Sequence, residues 1–340
     1  MATLKTIIPA LLMLLLGGGG QSNSGHESRP GDDQRSYYAA VFLNRGHVSG
    51  GQTSYVGLFK RVPGDTTWIN MYHNNLLTFG MGLWERGTTI RRYLAMGNGL
   101  HRSDDGGKTW RVLTGWQTEE VLSVALDPVD SALIYISTPF GVFKSTDDGA
   151  NWQKKTRGMK KWFVKKVMID QKNRLTLYAT GEDDLYRTTD GGEHWKSLNV
   201  GATGIEAVIQ DPSDVNHLLI GSDVDAVHVS FDGGKSWTRG KGLPKEAFYA
   251  ICVSPEKHTV YAGGYRTGLW KSDDGGVSWQ LLWQNDDIEA IFALFQQPGD
   301  PKHLMMGTSG QGVFESFDEG KTWTYAGLKG CHVKQIEFYP

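Results

Sequence analysis

"SDDGGKTW", residues 103–110, sets two adjacent carboxylates, Asp104 and Asp105, beside a glycine pair, a lysine and a tryptophan. In isolation these are the ingredients of a catalytic site. The stretch is not isolated. It returns as "STDDGANW" (145–152), "TTDGGEHW" (188–195), "SFDGGKSW" (230–237), "SDDGGVSW" (272–279) and "SFDEGKTW" (316–323), six copies of [ST]-x-D-x-G-x-x-W. A degenerate seventh, "RVPGDTTW" (61–68), keeps the tryptophan alone. The tryptophans fall at 68, 110, 152, 195, 237, 279 and 323, a period of 42 to 44 residues. A fixed period in that range means one supersecondary unit repeated.

Each period has the same internal order. A short apolar run such as "VLSVALDP" (121–128) precedes a β-rich run such as "LIYIST" (133–138). A glycine-led run such as "GVFKS" (141–145) then leads into the motif, and a last run opens on tryptophan. Four short strands per period predict a propeller blade, and the fold class is all-β. The 44 glycines and 12 tryptophans suit a fold of many tight turns. Within a blade the motif is the hairpin between the third and fourth strands. Gly107 supplies a positive φ. The carboxylate of Asp105, and likewise of Asp147, Asp190, Asp232, Asp274 and Asp318, accepts backbone N–H bonds inside its own turn. The tryptophan is expected to pack beside the next blade. Six equivalent carboxylates on one ring are scaffold, not chemistry.

This motif is identified as the Asp-box, or BNR repeat. It resembles the propellers of sialidases, xyloglucan-type glycosidases, sortilin-type receptor ectodomains and photosystem II stability and assembly factors, over nearly all of residues 37–340. The resemblance implies the fold and is shared by unrelated functions. A sialidase would carry an Arg-Ile-Pro type motif ahead of the first box, which is absent here, whereas "SRPGDD" (28–33) lies outside any strand. Xyloglucan-type enzymes build their cleft between two propellers, and one is expected here.

The ends predict the blade count. "YYAAVF" (37–42) matches a second strand, and "VKQIEFYP" (333–340) aligns with "VLSVALDP", a first strand. The C-terminus is therefore expected to complete the N-terminal blade and close seven blades into a ring without free edges. Residues 1–20 read as a signal peptide, with Lys5, an apolar run from Ile7 to Leu16 and small residues Gly17 to Gly20. That run is too short to cross a bilayer, which needs about 20 residues. Residues 21–36 read as a polar linker. The expectation is a periplasmic or secreted monomer with no transmembrane segment after signal cleavage. The net charge of −2 gives no reason to expect nucleic acid. Cys252 and Cys331 are expected to be separate structural residues.

Function is expected where the repeat is broken, on the loops that surround the channel mouth opposite the Asp-boxes. The first is "NRGHVSGGQTSY" (44–55), with Arg45 and His47, and the second is "MYHNNL" (71–76), with His73 and Asn74. "GEDDL" (181–185), "SDVDA" (222–226), "QNDD" (284–287) and "TEE" (118–120) bring carboxylates. Trp162, Asp225, Tyr249, Tyr265 and Arg266 complete the set of binding candidates. A basic run, Lys154, Lys155, Arg157, Lys160, Lys161, Lys165 and Lys166, interleaves Trp162 and Phe163. It reads either as a docking site for an acidic partner or as edge lysines that discourage strand pairing. No zinc motif, nucleotide loop or nucleophile elbow is present, so no cofactor is expected. The leading expectation is a binding or assembly module for a protein or polysaccharide partner. The alternative is a glycoside hydrolase or lyase, with acid/base roles among Glu119, Glu182, Asp183 and Asp286.

Overall fold

The computed structural model describes residues 35–44, 56–72, 76–115, 118–254 and 258–339. The signal and linker readings, Arg45, His47, His73 and Asn74 all fall wholly or almost wholly outside them.

The described strands form seven four-stranded antiparallel sheets. Six follow the chain from inner to outer strand, as in blade two: Thr78–Arg86, Thr89–Met96, Gly99–Ser103 and Arg111–Val112. Blade one is composite. Its inner strand is Cys331–Tyr339, paired with Ser36–Asn44 from the other end of the chain. The inner strands touch one another around the axis, and Cys331–Tyr339 sits between those of blades seven and two. The ring is closed, as the strand-for-strand alignment of the two ends predicts.

Burial follows position in the blade. Second strands such as Ile134–Thr138, Leu218–Ser222 and Leu304–Thr308 are buried at every residue, because each is covered by sheets on both sides. Outer strands such as Arg111–Val112 are exposed. Among the described residues, the apolar side chains gather in seven cores between neighbouring blades rather than in one at the centre. Each motif tryptophan enters one of them. Trp279 of blade six packs with Leu219, Val227 and Val229 of blade five. Trp323 of blade seven packs with Leu269 and Leu282 of blade six. The tryptophan therefore seals its blade against the preceding one, not the next. The pleat decides this, since the residue that opens the outer strand lies on the face turned back along the ring.

Cys252 and Cys331 are both buried, and no disulfide joins them. Among the described residues no helix is long and apolar enough to cross a membrane.

Candidate functional site

The Asp-box turns repeat one hydrogen-bond pattern. Asp105 Oδ1 accepts from Thr109 N (2.9 Å) and Ser103 Oγ (2.9 Å), and Oδ2 accepts from Thr109 Oγ1 (2.6 Å). Asp232 does the same with Ser236 and Ser230, and Asp318 with Thr322 and Ser316. Hydrogen bonds to the charged form hold these carboxyls low, the Thr109 side chain bringing Asp105 down to about 2 and Thr322 doing likewise for Asp318. The glycine three residues before each box tryptophan has φ between +86° and +99°, a region that residues with a Cβ resist. The position before it needs only φ of +63° to +77°, so Asp148 and Glu319 can occupy it. The repeat D-x-G is thus a backbone requirement, and its carboxylates are consumed by their own turns.

The opposite face is built differently. Inner strands begin there, and most begin with a β-bulge. Pairing with the second strand skips one residue between Thr78 and Gly80, Ile205 and Ala207, Phe248 and Ala250, and Ile291 and Ala293. It skips two between Val164 and Val167, and Lys334 in the composite blade. A bulge residue has no ladder partner and is aimed off the sheet. Here the skipped residues are Phe79, Lys165 and Lys166, Glu206, Tyr249, Phe292 and Lys334. All of them line one cavity of about 590 Å³ on the propeller axis, with Leu122 at the equivalent place in blade three.

The lining divides into an aromatic part and a charged part. Tyr249 and Phe292 lie 5.2 Å apart between ring centres, and Phe42 and Phe79 5.1 Å. Lys334 joins the two pairs, its ammonium 3.6 Å from the Phe292 ring centre and 5.3 Å from that of Phe42. This cation–π seat is poorly hydrated. Burial brings the Lys334 ammonium down to about 8, although Glu206 pulls upward. Across the lumen Lys165 pairs with Glu206. Lys166 is exposed toward the lumen but ringed by protein, and this burial lowers its ammonium below the ordinary lysine range although Glu337 pulls upward. Burial raises the Glu337 carboxyl, which Gln335 Nε2 meets at 2.9 Å. The same Gln335 accepts from Met81 N at 2.8 Å, which fixes the inner wall of blade two to that of blade one.

Among the described residues, the loop residues expected at the mouth lie on the links of that face, and one reaches the cavity itself. Tyr249 is in the lining. Trp162 is 54% exposed and stacks under Lys154 of the blade-three outer strand at 4.2 Å, while its neighbour Phe163 reaches the cavity. Arg266 stacks on Tyr265 at 5.1 Å. Asp225 is held by Arg239 (2.9 Å) and His228 (3.2 Å). Asp183 accepts from Tyr186 Oη at 2.6 Å, and Glu182 lies 3.6 Å from Lys161. Glu119 and Asp286 are exposed, on the links between blades two and three and between blades six and seven. The four acid/base candidates thus come from three separate places on the ring, and none of them lines the cavity. The basic run also divides: Lys155 pairs with Glu193, while Lys165 and Lys166 enter the lumen.

Phe42, Phe79, Phe292, Lys334, Glu206 and Glu337 are lining residues that loop reading does not reach, because they sit in strands. A signal exists in the aligned starts of the inner strands: "TFGM", "VLSV", "VKKV", "IEAV", "FYAI", "IFAL" and "VKQI". The second place reads F, L, K, E, Y, F, K, while the first place is apolar in all but Thr78 and the fourth in every blade. A pattern of strict alternation hides it, since a bulge turns that place toward the axis.

The comparisons with known proteins agree on the scaffold. A family model described as "Sortilin-Vps10: Sortilin, neurotensin receptor 3" matches residues 140–241. Xyloglucanase Xgh74A of Acetivibrio thermocellus is 24% identical over 162 residues, 35% of this chain and 19% of its own length. The chain therefore spans about a fifth of that relative. Among solved structures, the GH74 xyloglucanase of Xanthomonas campestris superposes with a TM-score of 0.58 at 19% identity, covering 73% of this chain and 45% of its own. YCF48 bound to D1 peptide superposes with 0.56 at 18% identity, covering 73% and 82%. The protein is an Asp-box seven-bladed propeller that resembles the GH74 xyloglucanases and YCF48.

Proposed function

We propose that the protein is a binding module, and that its partner is an extended peptide segment that inserts an acidic group into the mouth of the channel. The observation that carries this is the bulged ring, where six blades each turn an unpaired strand residue toward one cavity. That ring offers aromatic walls for apolar contact and Lys334 as a poorly hydrated cation for a carboxylate. Lys165 is already matched by Glu206, so Lys334 is the better seat for an incoming charge. The YCF48 structure with a D1 peptide supports a peptide role for a propeller of this size, although the likeness is one of fold. The export reading of residues 1–20 would place the partner outside the cytoplasm, and N-terminal sequencing of the mature protein tests that.

Polysaccharide hydrolysis is the competing reading, favoured by the GH74 likeness. It needs two carboxyl groups across a cleft. In the lumen, one of the two available is ion-paired (Glu206) and the other is bonded to Gln335 (Glu337). A peptide-display selection against the wild-type protein, repeated with Lys334→Met and Phe292→Ala, tests the proposal. Enrichment of acidic peptides whose affinity falls at least tenfold in both variants is the expected result. Peptides bound equally by all three proteins, or reducing ends released from a polysaccharide panel, would overturn it.

A further inference from the structure

On the Asp-box face, far from the bulged ring, three side chains from two blades converge on one point. Asp211 and His217 lie on the link between the inner and second strands of blade five, and His258 lies on the same link of blade six. Their ligand atoms all fall within 4.8 Å of one another. Asp211 Oδ2 is 2.9 Å from His217 Nδ1 and 3.2 Å from His258 Nδ1. Asp211 and His217 are buried, and His258 is 63% exposed, so the cluster has one open side.

The ring nitrogens decide the reading. His217 Nε2 lies 2.7 Å from the carbonyl oxygen of Gly275, which can only accept, so that nitrogen carries a hydrogen. In the neutral ring Nδ1 is then a bare lone pair, and it faces a carboxylate oxygen at hydrogen-bond distance. Two acceptors share that distance only with a cation between them, either a proton or a metal ion. A histidine whose far N–H is fixed by a backbone carbonyl is the usual second sphere of a metal ligand. The carboxylate is oriented in the same way, with Oδ1 held by Ser213 N (2.7 Å) and Ser213 Oγ (2.6 Å). Metal–ligand bonds of about 2.1 Å put tetrahedral ligands about 3.4 Å apart. The separations of 2.9 and 3.2 Å from Asp211 Oδ2 need to open by about half an ångström at most.

Blade seven supplies an internal control. His303 holds the place of His217 and stacks on Phe317 at 4.6 Å, as His217 stacks on Phe231 at 4.7 Å. Stacked histidine is therefore scaffold. Yet Gln297 stands where Asp211 does, and His303 Nε2 meets Glu315 at 2.7 Å. The aspartate and the second histidine are what blade five and blade six add.

We propose that Asp211, His217 and His258 form a site for one divalent transition-metal ion of the zinc class, bridging blades five and six and open to water or a ligand beside His258. Two imidazoles and one carboxylate are a borderline-soft donor set suited to Zn2+, Co2+ or Ni2+. The inference is independent of the channel reading.

The test uses protein without an affinity tag, dialysed against a chelator and titrated with Zn2+ by calorimetry and with Co2+ by visible absorption. One equivalent should bind, with cobalt bands of a low-coordinate site and a rise of a few degrees in Tm. His258→Ala removes an exposed ligand and should leave the apo Tm unchanged, but weaken binding more than tenfold and abolish the bands. His303→Ala should do neither of these last two things. No binding by the wild type, or binding unaltered in His258→Ala, overturns the site and leaves a protonated His217 as the bridge to Asp211.

Discussion

The two faces of the propeller treat their repeat in opposite ways. At the Asp-box turns, six blades hold the same aspartate in the same backbone hydrogen bond, and every carboxylate is spent on its own turn. At the bulges, six blades, five of which also carry a box, share a backbone irregularity but vary in side chain: Phe79, Lys165, Glu206, Tyr249, Phe292, Lys334. Uniformity marks what the fold needs from each blade. Divergence at a shared geometry marks where the fold makes no demand, which leaves that ring free for recognition. The comparison can be broken by experiment on either side.

The largest effect belongs to the uniform side. Trp279 is 5% exposed, packs with Leu219, Val229 and Leu243, and donates its indole N–H to Gly276 O at 2.9 Å. Trp279→Ala opens a cavity between blades five and six and is expected to cost about 3–5 kcal/mol. Phe292→Ala, at the half-buried wall of the lumen, should cost well under half of that. Urea unfolding of the two variants measures the difference, and equal losses would mean that the ring of bulges is core after all.

Acid acts on the uniform side as a group. The box carboxyls sit low because neighbours bond their charged form, the Thr109 side chain foremost at Asp105 and the Ser236 side chain at Asp232. Their folded values lie below the unfolded one near 3.8. The stability they contribute is therefore complete above about pH 4 and is lost as pH falls toward 2. Six boxes titrate together, so Tm should drop steeply below pH 4. A Tm that is flat from pH 5 to pH 2.5 would show that these hydrogen bonds do not favour the charged form.

The fold was legible because it is periodic. A 42-residue spacing, a turn that needs glycine at one place and a C-terminal run that aligns with a first strand are enough for seven blades and their closure. The site was legible only in outline. The face that carries the cavity follows from strand direction, and Tyr249 is in its lining. The rest of the lining was hidden by local geometry. Loops draw the eye to Asp183 and Asp225, yet those groups are bonded to Tyr186, and to Arg239 and His228. Phe292 and Lys334 read as ordinary strand residues until a bulge turns them to the axis. The sense in which tryptophan packs, backward along the ring, depends on pleat parity that spacing alone does not carry.

A smaller effect, and of opposite sign, belongs to the divergent side. Lys334 is brought down to about 8, chiefly by burial. Its folded value is below the unfolded one near 10.5, so the folded state holds fewer protons between those values. Stability should therefore rise with pH through about 8 to 10.5, and the cost of the buried ammonium is present at neutral pH. Lys334→Met is expected to stabilise the protein by about 1–3 kcal/mol at pH 7 and to flatten that rise. It should also abolish capture of acidic peptides, which in the wild type should weaken above pH 8. A group kept at a cost in stability is what a binding site looks like. Destabilisation by Lys334→Met would make the lysine structural.

The smallest expected effect separates the ring from the loops around it. Trp162 lies beside Phe163 in sequence but stacks outward under Lys154, 54% exposed. An exposed cation–π pair contributes about 0.5–1 kcal/mol at most. Trp162→Ala should therefore shift the urea midpoint barely beyond error. The informative reading is peptide affinity. If recognition is confined to the bulged ring, Trp162→Ala binds as the wild type does, while Phe292→Ala does not. If Trp162→Ala loses as much as Phe292→Ala, the partner runs from the lumen across the rim of blades three and four, and Lys154 and Trp162 belong to the same surface as Lys334.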